Sequence, residues 1–241
     1  MVTEPHDEQQ TPADGRRQRS RIVRQALSVG FAVAPFGVVF GVACAEAGLT
    51  WLDAAGFSAL TFAGSSQFAA VGVLGDGGTA AAAIGAGLLL NVRSLAFGVL
   101  LAPVLDGPRW KRALFAQLVI DESTAVATVQ DGRRWRRYGF LAGGLAVFVI
   151  WNLTTLLGVA LASIGDEFIS DWGLDAAAPA AFLGLLWPRL VGPTGRDGLR
   201  IALLGAAIAA LVVPFTAPGI PILLAGLGVF AVGRSPRGDT A

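Results

Sequence analysis

The sequence predicts an all-α fold: a polytopic transmembrane helical bundle of about six to eight membrane segments, some of them broken or re-entrant. Hydrophobic residues make up 54% of the chain and charged residues only 15%, where a soluble domain carries about 25% charged. Several apolar runs reach the roughly 20 residues that span a bilayer. A third observation sets the plan inside the bundle. Three of these runs are interrupted by polar residues: Gly64, Ser65, Ser66 and Gln67; Asn91 and Arg93; Asp121 and Glu122. In hydrocarbon such groups need partners or a water-filled path, so they mark candidate functional sites.

Residues 1–25 are polar, with Pro5, Pro12 and Gly15, and read as a disordered tail. Arg16, Arg17, Arg19, Arg21 and Arg24 precede the first apolar run and place this tail in the cytoplasm by the positive-inside rule. The run 26–45 is too long for a signal peptide and opens a transporter domain expected over 26–233. Pro35, Gly37 and Gly41 within it form an expected helix break. Proline removes a backbone donor, and glycines let helices approach closely. A kinked packing face and a substrate-lining face are both open for this segment.

The run 54–75 carries Gly64-Ser65-Ser66-Gln67. Glycine and serine loosen a helix, and transporters aim such broken half-helix ends at ions or carboxylates. The plainer reading is small-residue packing with Gln67 bonded to a neighbouring helix. Asp76-Gly77-Gly78 is a turn into the run 79–105, which holds Asn91 and Arg93 near its middle. Two basic loops follow, 106–112 and 131–137, and both read as cytoplasmic. Only the short run 112–129, with Asp121 and Glu122, lies between them. Making 54–75 a re-entrant or broken element reconciles the number of crossings with these loops. Beyond them come a long span, 138–164, with Asn152, Thr154 and Thr155 inside it; an acidic outside loop, 165–175; and a short apolar segment, 176–187. A final hairpin, 199–213 and 220–232, turns at 214–218, and the tail 234–241 is short, basic and cytoplasmic.

Some classes of chemistry are excluded. His6 is the only histidine and Cys44 the only cysteine, so no internal disulfide, His/Cys metal centre or His-based triad can form. No metal, cofactor or enzyme activity is expected. The basic residues flank membrane segments and do not form one face, so nucleic acid is no expected partner.

Arg93, Asp121 and Glu122 are the ionisable residues well inside apolar runs. Pairing Arg93 with Asp121 or Glu122 as a structural salt bridge is the simplest arrangement. Alternatively the planar fork of Arg93 holds a substrate carboxylate, and Asp121 or Glu122 takes an amino group or carries a coupling proton. Phe62, Phe68 and Phe97 are candidates for an apolar pocket, or else packing residues.

Pro35-Phe36-Gly37 with Phe40-Gly41, then Phe62-Ala63-Gly64-Ser65-Ser66-Gln67-Phe68, then Asn91-Val92-Arg93, then Asp121-Glu122-Ser123, resemble in order and spacing the AzlC-like family of branched-chain amino acid permeases. The later stretch 175–186 resembles the family's acidic–alanine segment. Ser66 stands where the family most often has alanine. The resemblance covers residues 26–200 and implies the large subunit of a two-component exporter. Such a subunit moves leucine, isoleucine, valine or related substrates across the bacterial inner membrane. It works with a small AzlD-like membrane protein and is driven by a proton or sodium gradient. An uncoupled channel-like or structural membrane subunit for another small solute is the competing expectation.

Overall fold

A computed structural model describes residues 12–164, 195–216 and 220–228, with isolated positions between 183 and 192. The expected loop 165–175, most of the segment 176–187 and the tail 234–241 lie outside the described residues. Every regular element among those described is helical. In chain order they are α1 (Pro12–Glu46), α2 (Trp51–Thr61), α3 (Ser65–Gly75), α4 (Ala80–Asn91), α5 (Arg93–Leu101), α6 (Arg109–Ala116), α7 (Asp121–Thr128), α8 (Gly132–Ala162), α9 (Gly195–Val212) and α10 (Ile220–Ala225). Short 3₁₀ turns follow α5 and α9. Among the described residues, three helices, Ala13–Glu46, Gly132–Ala162 and Asp197–Phe215, are long and apolar enough to cross a membrane, and α4 with α5 makes a fourth if that pair is one bent span.

The chain divides into two compact units, Met1–Pro35 with Ser94–Leu153, and Phe36–Arg93 with Thr154–Ala241. In the first, residues 1–11 of the expected disordered tail lie outside the described residues, while 12–25 are helical and not disordered. Proline suits a helix start, where its missing N–H is no loss, and Asp14 complements the positive end. The stretch is held by more than propensity. Ile22 is buried with Val126 and Trp135, Gln18 Nε2 donates to Gln130 Oε1 (3.1 Å), and Gln130 Nε2 donates to Gln25 Oε1 (3.2 Å). Glycines on α8 bring α7 close. Gly139 and Gly143, one turn apart, face Val126 and its neighbours, and Gly144 faces Leu118, the small-residue packing that membrane helices favour.

In the second unit, α3 packs along α4 through Ala69, Ala70, Val73, Ala83 and Ala86. Phe40 stacks edge-on against Phe57 (5.8 Å between centroids) and Phe68 (5.5 Å). The expected break at Pro35, Gly37 and Gly41 does not interrupt the helix, since α1 continues to Glu46. Gly41 serves packing instead: it lies against Thr155, Gly158 and Val159 of α8, with Gly158 against Val38. Of the expected hairpin, 217–218 and 229–232 lie outside the described residues; α9 packs on α10, with Gly205 against Ala225 and Gly228 beyond α10.

Candidate functional site

The three polar interruptions share one structural position: Ser65, Arg93 and Asp121 are each the first residue of a helix that restarts after a break. α2 ends at Thr61, and Phe62-Ala63-Gly64 crosses to α3. Phe62 (φ 23°) and Gly64 (φ 39°) both take positive φ, a region that glycine enters freely and phenylalanine only under constraint.

Gln67 supplies that constraint. Its side chain is fully buried, and its Oε1 accepts from the N–H of Ala63 (3.3 Å). Its Nε2 donates to the carbonyls of Phe57 (3.3 Å) and Ser58 (3.5 Å). A break strands N–H groups on one side and carbonyls on the other, and each stranded group is costly in an apolar setting. One primary amide serves both sides, so Gln67 staples the break. These partners of Gln67 lie within its own broken element, where the plainer reading expected a neighbouring helix, and the ligand-site reading stays a proposal. Ser58 Oγ in turn donates to Thr155 Oγ1 of α8 (3.3 Å, both buried), anchoring α2.

Arg93 Nη2 donates to Ser65 Oγ at 2.9 Å. The bond brings together two of the predicted motifs, with a half-buried guanidinium at the N-terminus of α3. The positive end of a helix and a guanidinium favour an anion. Beside them, Ser66 Oγ is buried with no hydrogen-bond partner among the described residues. Asn91 closes α4, two positions before Arg93. Phe62 and Phe68 are buried, Phe68 against Phe40, which is the packing role.

Asp121 and Glu122 belong to the first unit. They occupy the first turn of α7, where carboxylates complement the helix dipole. The break before them is closed by Ser123, whose Oγ accepts from the N–H of Ile120 (3.1 Å) and donates to the carbonyl of Leu118 (2.6 Å). Thr124 Oγ1 donates to the carbonyl of Ile120 (2.7 Å). Ser123 and Gln67 are thus the residues that make their breaks stable. The signal for both was in the sequence, as hydroxyl or amide groups one turn into an apolar segment.

The AzlC protein family profile matches residues 28–164, more than half of the chain, and takes in the motifs from Pro35 to Ser123 but not the stretch 175–186. The chain belongs to the AzlC family. It is a multi-pass membrane protein of a family associated with transport. No curated protein and no solved structure matches it. In this AzlC member, the Gly64–Gln67 and Asn91–Arg93 motifs meet in the second unit through the bond from Arg93 to Ser65.

Proposed function

We propose that this AzlC protein is a secondary transporter that exports branched-chain or related apolar amino acids across a bacterial inner membrane, together with a small AzlD-like membrane subunit. The observation that carries the substrate class is the bond from Arg93 to Ser65 at the restart of α3. A guanidinium and a helix N-terminus converge there, which suits a carboxylate more than a cation or a neutral solute. An apolar amino acid bound by its carboxylate keeps its side chain for the apolar surroundings.

Gly64, Ser65, Ser66, Asn91 and Arg93 form the substrate site in this reading, and Gln67 holds its backbone. Asp121 and Glu122 carry the coupling ion, a proton or sodium, in this reading, because carboxylates placed inside apolar runs are rare and mark ion pathways.

The test is efflux of labelled isoleucine from a host lacking its own exporters, with and without the adjacent small membrane gene. Efflux that needs both genes supports the two-component exporter. Flux that survives collapse of the ion gradient, with Asp121→Asn and Glu122→Gln fully active, would establish the uncoupled alternative.

A further inference from the structure

The first unit contains a cavity, apart from the substrate motifs. With a volume of about 510 Å³, it opens where the 3₁₀ turn after α5 meets the end of α7 and the start of α8. Its walls are apolar, from Leu100, Leu101, Val104 and Ala127, and its rim carries Arg133 and Arg136. Leu100 at the mouth is more than half exposed, while Leu101, Val104 and Ala127 are buried. The site therefore has a greasy interior that reaches the protein surface and a cationic edge.

The charge around it is lopsided. Arg133, Arg134, Arg136 and Arg137 all fall in the first six residues of α8, where the helix dipole already places positive charge. No acidic residue occupies that first turn. Asp106 bridges Arg133 (2.9 Å) and Arg137, and these exposed pairs contribute little. Arg136 uses Nε on the carbonyl of Gln130 (3.1 Å), and a guanidinium has further donors to offer. Together the segments 106–112 and 131–137 hold seven basic residues against two acidic ones. Four cations at a helix N-terminus call for an anion.

We propose that this cavity binds an anionic phospholipid, with an acyl chain along Leu100, Leu101 and Val104 and the headgroup phosphate on Arg133 and Arg136 at the start of α8. The charge selects the anion, and the apolar wall selects one that bears a chain. Basic pockets beside membrane helices recognise anionic headgroups on this principle.

The test uses the full chain purified in a neutral detergent, with thermal unfolding followed on adding phosphatidylglycerol, phosphatidylcholine or inorganic phosphate. Phosphatidylglycerol is expected to raise the melting temperature, the other two to leave it unchanged, and the R133Q/R136Q pair to abolish the shift. Because Arg136 also holds the Gln130 carbonyl, a second variant, Thr128→Trp, fills the mouth of the cavity and leaves every charge in place. It too should lose the shift. Equal shifts with phosphatidylcholine, or a shift reproduced by phosphate alone, would overturn the proposal. So would an undiminished response in Thr128→Trp.

Discussion

Arg93 and Ser65, 28 positions apart, meet at 2.9 Å across two helix restarts. Each residue stands where its helix is electrically positive, and the guanidinium points its donor at the N-terminal residue of α3. A guanidinium beside a helix N-terminus favours an anion there. Arg93→Ala is therefore expected to lower isoleucine efflux at least tenfold while the protein still accumulates in the membrane. Arg93→Lys should recover only part of it, since lysine keeps the charge and loses the planar fork. Ser65→Ala should fall between, because a hydrogen bond to a charged group is worth about 1.5–3 kcal/mol. Ser66→Ala, which removes a buried hydroxyl without a hydrogen-bond partner among the described residues, should raise the melting temperature. Normal export by Arg93→Ala would remove this residue from the site.

Gln67 makes a different prediction, one of stability first. Gln67→Leu preserves much of the volume but strands the Ala63 N–H and the carbonyls of Phe57 and Ser58. Each buried polar group left unsatisfied costs about 1–3 kcal/mol. The variant should unfold several degrees lower in detergent, and Gln67→Glu should be no milder, because it replaces the donor that faces the Phe57 and Ser58 carbonyls with a buried acceptor. An unchanged melting temperature in Gln67→Leu would mean that the break is held by other means.

Much of this was legible in the residues, for a physical reason. Polar groups are scarce in a membrane chain, so Gly64–Gln67, Asn91–Arg93 and Asp121–Glu122 stood out, and all three mark helix restarts. The turn at Asp76-Gly77-Gly78 was equally plain, and Gly77 adopts φ 79° there. Two readings went astray because local chemistry was outvoted by packing. The arginine-rich stretch from Pro12 looked too polar to order, yet Ile22, Gln18 and Gln25 give it one buried, bonded stripe. Pro35 with two glycines looked like a break, yet helix continues because α8 accepts the backbone of Gly41. Neither partner surface can be read from the segment itself.

At the start of α2, Thr50 and Asp53 form a reciprocal cap: Thr50 Oγ1 donates to Asp53 Oδ2 (2.6 Å), the Thr50 N–H donates to the same oxygen (3.0 Å), and the Asp53 N–H donates to Thr50 Oγ1 (3.2 Å). The Thr50 hydroxyl, then its N–H, hold the Asp53 carboxyl below the usual carboxylate range. A lowered folded-state pKa means that the cap is fully present above the ordinary value of about 3.9 and is lost as pH falls through the folded one. Carboxyl carbon shifts of Asp53 should titrate below that ordinary value, and Thr50→Ala, which removes the hydroxyl but keeps the N–H, should move them part of the way back. Identical titration in both proteins would refute the cap.

The closest approach in the second unit gives the strongest prediction. A methyl on Gly41 would strike the Thr155 carbonyl and stand 2.8 Å from the Val159 nitrogen. One on Gly158 would strike the Val38 carbonyl and stand 3.0 Å from Gly41 Cα. The obstructing atoms are backbone, so no rotamer can yield and the helices must separate. Overfilling a packed core costs roughly 1–3 kcal/mol when side chains can adjust, and here the cost should exceed that range. Gly41→Ala and Gly158→Ala are each expected to abolish accumulation or stable extraction from the membrane. Gly56→Ala and Gly72→Ala, where an added methyl meets nothing within 4 Å, should be tolerated and gain about 0.4–1 kcal/mol from the stiffer unfolded chain. Because α1 and α8 touch backbone to backbone at this point, the double variant should be no worse than the worse single one: once the helices have moved apart for the first methyl, the second finds room. Additive losses would mean that the two glycines act at separate contacts.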